Sequence, residues 1–65
     1  VTVPMAVYEG IAAARESGMF NMLDLPAVAG LARQLGFDEA ADWLNDRGNR
    51  KPYAEGIFRG FRAEE

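Results

Sequence analysis

Ser17-Gly18-Met19-Phe20-Asn21-Met22-Leu23-Asp24-Leu25-Pro26 separates one helical pattern from the next. Gly18 takes the left-handed turn that closes a helix at the least steric cost. Asp24 can open the following helix, its carboxylate accepting from the backbone N–H of Ala27. The other usual capping target is position 26, and Pro26 has no N–H to donate. Asn21 can hold the turn between these signals through its side chain. Met19, Phe20, Met22, Leu23 and Leu25 are too apolar for a solvated loop. This connection is therefore expected to fold onto the core.

Upstream of this stretch, residues 5–17 read as helix one. Val7, Ile11, Ala14 and Gly18 recur at helical spacing, and Tyr8 and Ala12 widen the stripe. Pro4 suits a first turn, while Gly10 is a local cost against Ala. Downstream, residues 25–35 read as helix two, with Val28, Leu31, Ala32 and Leu35 on one face. Gly36 ends it, and Phe37 can pack back on its last turn. Residues 38–47 read as helix three, with Asp38 as N-cap and Ala40, Trp43 and Leu44 inward; Gly48 and Asn49 stop it. Residues 52–61 read as helix four, with Tyr53, Ile57 and Phe61 on one stripe and Ala54 and Phe58 beside it. Gly56 and Gly60 provide a close-packing surface. The tail from Arg62 to Glu65 is expected to fray. No stretch alternates with period two. The reading is all-α: one domain, residues 1–65, of four short helices around one core. Ile11, Leu31, Trp43, Ile57 and Phe58 are expected to be buried.

A chain of 65 residues builds only a modest core. The composition is globular, and the lack of Cys fits a reducing compartment. Val1-Thr2-Val3-Pro4 lacks the basic region of a signal peptide. No apolar run reaches the roughly 18–20 residues of a membrane span. These features point to a soluble monomer with no membrane partner. The net charge of −3 is unevenly spread: Asp38 to Asp46 carries four acids and no base, and Arg47 to Arg62 carries five bases against Glu55.

With neither His nor Cys in the chain, zinc fingers, thiol nucleophiles and histidine bases are excluded. Ser17 and Thr2 are the only hydroxyl nucleophiles of their kinds, and neither has a base near it in sequence. There is no phosphate-binding glycine motif. The expectation is a protein that is no enzyme, holds no metal or cofactor, and works by binding.

Residues 31–44 resemble a helix–turn–helix unit, with Ala32 and the turn glycine Gly36 four apart. The apolar anchor due six residues after that glycine falls on Asp42, however. The would-be reading helix carries Asp38, Glu39, Asp42 and Asp46, which would repel the phosphate backbone. The segment also resembles a ubiquitin-associated domain, with Leu35-Gly36-Phe37 in place of that family's Met-Gly-Phe loop. A DNA-binding regulator and a peptide-binding module are thus the alternative readings.

Asp38, Asp42 and Asp46 are spaced to line one helix face. Acids in the first turn complement the helix dipole, which accounts for Asp38, Glu39 and Asp42. Asp46, read near the C-terminal end, would oppose the dipole. Asp38, Glu39, Asp42 and Asp46 are therefore the candidate partner-binding residues. The basic half carries Arg50, Lys51, Tyr53, Phe58, Arg59, Phe61 and Arg62. Its aromatics fall on the expected core stripe, away from any stacking role.

Beyond these patterns, the chain resembles a family of short phage and prophage proteins, a domain of unknown function. The residues carrying the likeness are Ile11, Arg15, Ser17-Gly18, Asn21-Met22-Leu23-Asp24, Val28, Ala32, Gly36-Phe37, Tyr53, Ile57 and Gly60. The Ser-Gly-x-x-Asn-Met-x-Asp run is the most specific part. Leu23, where an aromatic is frequent, and Trp43 depart from the pattern. In size and character the chain is similar to anti-CRISPR proteins. That likeness implies a phage-encoded inhibitor in the host bacterial cytoplasm, bound to a type I CRISPR effector complex. It would cover the complex's DNA-binding surface with an acidic helix and bind no nucleic acid itself.

Overall fold

Pro4 fixes the start of the first long element. Helix α1 runs Met5–Ser17, and the Tyr8 N–H donates to the Pro4 carbonyl at 2.9 Å. It closes at Gly18, which is left-handed at φ 64° and donates to the Arg15 carbonyl. The computed structural model describes residues 1–64. Helix α2 runs Leu25–Gln34, with Asp24 as its cap: Oδ1 accepts from the Ala27 N–H at 3.4 Å. Both boundaries follow from the signals at Gly18 and Asp24.

Helix α2 ends in a Schellman closure. Gly36 is left-handed, and the Phe37 N–H donates back to the Ala32 carbonyl at 2.8 Å. Phe37 also caps helix α3, Asp38–Asn45, through its own carbonyl, which accepts from Ala41. The turn is so short that one residue serves both helices. Asp38 is therefore the first helical residue and not the N-cap, contrary to expectation.

Helix α3 stops at Asn45 because Asp46 leaves the helical path. Its Oδ1 accepts from the Gly48 N–H at 2.9 Å, opening a 3₁₀ turn at Arg47–Asn49. The Asn49 side chain donates to the Trp43 carbonyl at 3.0 Å. Helix α4 follows at Arg50–Arg59.

The four helices make the molecule all-α in architecture, with one small addition. Strand β1, Thr2–Val3, pairs in parallel with strand β2, Arg62–Ala63, with Thr2 opposite Arg62 and Val3 opposite Ala63. Two-residue strands are too short to show an alternating pattern, so period counting misses them. Arg62, Ala63 and Glu64, expected to fray, are held instead by the Arg62 N–H on the Val1 carbonyl and the Glu64 N–H on the Val3 carbonyl. Glu65 lies outside the described residues.

Small residues let the helices approach. Ala14, Ala29, Ala32, Ala40 and Ala41 are buried among Val3, Val7, Val28 and Leu44. A Cβ on Gly10 would overlap the Ala40 side chain and press on Phe37. Gly10, and not Tyr8 or Ala12, thus completes the buried face of α1. A Cβ on Gly56 would overlap the Phe61 ring, which folds back over α4 beside Tyr53 with ring centroids 5.7 Å apart.

Ile11 and Leu31 are buried as expected, while Trp43 and Ile57 are only partly so. Phe58 is a correction: it is 80% exposed. Helix α4 packs through Tyr53 and Gly56, and Phe58 stands two residues beyond Gly56, on the far side of the turn. Leu35 is also exposed, because the helix has already ended when it is reached.

Candidate functional site

The acidic residues divide into two groups. Asp38 and Asp42 lie on one face of α3, with side chains 72% and 75% exposed, and Glu39 is exposed beside them. Arg33, from the last turn of α2, donates to Asp42 Oδ1 at 2.8 Å and lies 3.8 Å from Asp38. That hydrogen bond, with the field of both carboxylates, holds the Arg33 guanidinium above its ordinary value. Asp46 does not extend this helical stripe. It lies beyond the helix and is occupied in capping the 3₁₀ turn. The cost inferred from a carboxylate inside the last helical turn therefore does not arise, and Asp46 has an intramolecular task.

The basic half is laid out differently. Tyr53 is buried, and its hydroxyl donates to the Met22 carbonyl. Burial pushes the Tyr53 hydroxyl up to about 12, against a smaller opposite influence of the Arg15 charge. Phe61 is half-buried, Phe58 is exposed, and Arg59 lies 3.7 Å from Glu55.

The connection between α1 and α2 is pinned at each of its polar residues. Ser17 Oγ donates to the Ala14 carbonyl at 2.7 Å and accepts from the Met19 N–H. Asn21 Oδ1 accepts from the Leu23 N–H at 2.9 Å, the turn expected of it. The Asp24 N–H donates to the Asn21 carbonyl, and Tyr53 ties down Met22. Only Met22 and Leu25 pack on the core. Met19, Phe20 and Leu23 are 66%, 46% and 54% exposed, which corrects the expectation that the whole connection folds inward. Its hydrogen bonds are nearly all local, so they fix the backbone without drawing each side chain inward.

Beside this connection lies a shallow, open cleft of about 500 Å³, lined by Phe20, Pro26, Ala27, Gly30, Leu31, Arg33 and Gln34. Sequence reasoning attended to the buried face of α2 and missed the one adjoining it. Its signal was Ala27 and Gly30, small residues three apart on a helix whose apolar stripe already had Val28 and Leu31.

In the segment likened to a helix–turn–helix unit, Ala32 is buried, Gly36 makes the turn, and Asp42 stands in solvent beside Arg33. In Leu35-Gly36-Phe37, Leu35 is exposed and Phe37 packs on the core. Among the described residues there is no cluster of three or more acidic, His or Cys side chains fit to hold a metal ion, and no helix is long and apolar enough to cross a membrane. No curated protein and no solved structure matches the chain. A family model covers residues 5–61, from the first residue of α1 to the aromatic ring folded over Gly56. The chain belongs to the family described as a domain of unknown function, DUF5049.

Proposed function

We propose that this domain works by binding a protein partner through the exposed acids of α3, Asp38, Glu39 and Asp42. The observation that carries the reading is their exposure on one short helix, with Arg33 paired to Asp38 and Asp42. Three carboxylates against one guanidinium leave a net negative face, which suits a Lys- and Arg-rich surface. Opposite fields speed encounter and fix orientation, and salt screens them over about 8 Å at physiological ionic strength. The specific form of this proposal is an inhibitor of a type I CRISPR effector complex in a bacterial cytoplasm, occupying the surface that would otherwise receive DNA. It rests on the size, the acidic character and the likeness to anti-CRISPR proteins.

The test is target-DNA binding by a purified type I effector with the domain added at increasing salt. Wild-type protein should block binding, and less so as salt rises. Glu39→Lys with Asp42→Lys should abolish the block while helix content is kept, and Glu9→Lys with Glu16→Lys on α1 should leave it intact. Full inhibition by the α3 double variant would remove the acidic face from the mechanism. Duplex DNA shifted by the isolated domain at low salt would favour the regulator reading instead.

A further inference from the structure

Three glycines lie inside the α-helices without left-handed backbone: Gly10, Gly30 and Gly56. Gly10 and Gly56 have packing reasons, because a Cβ on either would overlap a neighbouring side chain. Gly30 has none, since a Cβ there would meet nothing within 4 Å. A helix-interior glycine is disfavoured against alanine, and no contact within the chain offsets that at Gly30. Its position is informative: it lines the open cleft with Phe20 and Arg33.

The lining of this cleft is held in place. Phe20 sits in the connection fixed by Ser17, Asn21, Asp24 and the Tyr53–Met22 bond, so its exposure does not come from a slack loop. A lining residue with no side chain lets another backbone come close, because helix separation is set by the side chains at the crossing. The cleft is also flanked by charge. Arg33 lines it and is bonded to Asp42 beside Asp38, so the acidic face of α3 lies next to the cleft. Asp24 caps α2 at its start. Beyond Arg33, Asp38 and Asp42 adjoin a mostly apolar lining that also holds Gln34, along a helix of ten residues, about 15 Å long.

We infer that this cleft is a docking groove for an amphipathic helix of about three turns, with its apolar face over Gly30 and against Phe20, and with Lys or Arg reaching Asp38 and Asp42. The inference rests on the protein-binding reading above and adds the form and charge of the partner. Asp42 bonds Arg33 through Oδ1 alone, which leaves its second oxygen for an incoming cation.

The experiment is selection of a displayed library of random 16-residue peptides on the whole 65-residue chain, followed by binding of the enriched synthetic peptides to variants. Enriched sequences should carry apolar residues at i, i+4 and i+7 with Lys or Arg at the flanks. Their addition should move the amide resonances of Phe20, Ala27, Gly30 and Arg33. Gly30→Gln should weaken binding by about tenfold or more by filling the cleft, while raising the thermal midpoint, since a better helix former replaces glycine at a site with room for it. Phe20→Ser should weaken binding at unchanged stability. If Gly30→Gln binds as well as wild type while Glu39→Lys with Asp42→Lys does not, the groove is wrong and the acidic face stands. If the reverse holds, the groove stands and the acidic face fails. Enrichment of acidic or extended peptides, or none at all, overturns the groove.

Discussion

The connection after α1 and the one after α3 are built with the same local chemistry and present opposite surfaces. In the first, Asn21 accepts from the N–H two residues on; in the second, Asp46 does the same. Each is also tied by a side chain to a main-chain carbonyl: Tyr53 of α4 holds Met22 in the first, and Asn49 of the second reaches back to Trp43 in α3. The first then exposes Met19, Phe20 and Leu23, and the second exposes Asp46 and Arg47. A turn's polar residues decide its backbone, and its remaining residues are then free to be whatever a partner requires. In a chain of this size, whose described buried side chains are apolar but for the Tyr53 hydroxyl, such turns are where a surface can be shaped without disturbing the core.

The largest effect expected from a change in either connection is at Gly18. Its backbone is left-handed at φ 64°, with open space around it, so a side chain there meets strain and not crowding. Gly18→Val should cost about 1–3 kcal/mol, read as a lower urea midpoint at unchanged slope. No comparable residue exists in the second connection, where every described non-glycine residue and Gly48 keep ordinary backbone. A loss as small at Gly18 as at Gly48 would mean that the two connections differ only in their side chains.

Next comes the tie from α4. Tyr53→Phe removes the hydroxyl that satisfies the Met22 carbonyl and should cost about 0.5–1.5 kcal/mol at pH 8. The pH dependence has a definite sign. Burial raises the Tyr53 value from 10.0 to about 12 in the folded protein. The folded state therefore holds a proton that the unfolded chain releases. This contribution is complete below pH 10 and is lost as pH rises through the folded value. Stability of the wild type should fall between about pH 10 and 12, and the variant should lack that part of the fall. The two urea midpoints should converge as pH rises. Parallel curves would show that the hydroxyl is not held in a buried bond.

How far the sequence was legible follows the same division. Gly18, Asn21, Asp24 and Gly36 act within a few residues of themselves, and each does what its chemistry predicts. Val28, Leu31 and Ala32 are buried because a helical stripe is also a local pattern. Position is less legible where a residue has two local options. Asp46 could extend a helix or cap a turn, and only the second offers its carboxylate a bond to Gly48. Asp38 lost the cap to Phe37 for a reason set by the preceding helix end. Phe58 and the residues of the first connection look like core because they are apolar, yet burial depends on which face meets a neighbour. The cleft was invisible for the complementary reason: it is defined by what Gly30 does not touch. The Arg33 bond to Asp42 spans the α2–α3 turn, and helical spacing within either element does not reveal it.

The two carboxylates that hold the connections should differ in a measurable way. Asp46 accepts at 2.9 Å and stops α3, whereas Asp24 accepts at 3.4 Å on a helix that Pro26 also helps to start. Asp46→Ala should cost about 1 kcal/mol and Asp24→Ala about 0.5 kcal/mol, both within the range of lost caps. Asp46→Lys should likewise destabilise, since the residue is outside the helix and its carboxylate is used. A gain in thermal midpoint for Asp46→Lys would place the residue back inside α3.

The smallest effect is expected where a sequence-based view would put a large one. Met19 and Leu23 are long apolar side chains next to helix ends, and a folded-in connection would make them core residues. Truncating such residues in a core costs about 2–5 kcal/mol each. Here both are more than half exposed, and their backbone is held by Ser17 and Asn21, which truncation leaves in place. Met19→Ser with Leu23→Ser should change stability by no more than about 0.5 kcal/mol. Met22→Ser, in the same turn but packed on the core, should lose clearly more. The comparison needs only urea midpoints and the partner-binding assay side by side. If the exposed pair is neutral for folding and costly for binding, the first connection serves recognition. If the pair unfolds the domain, its apolar residues belong to the core after all, and the contrast with the charged second connection reduces to ordinary packing.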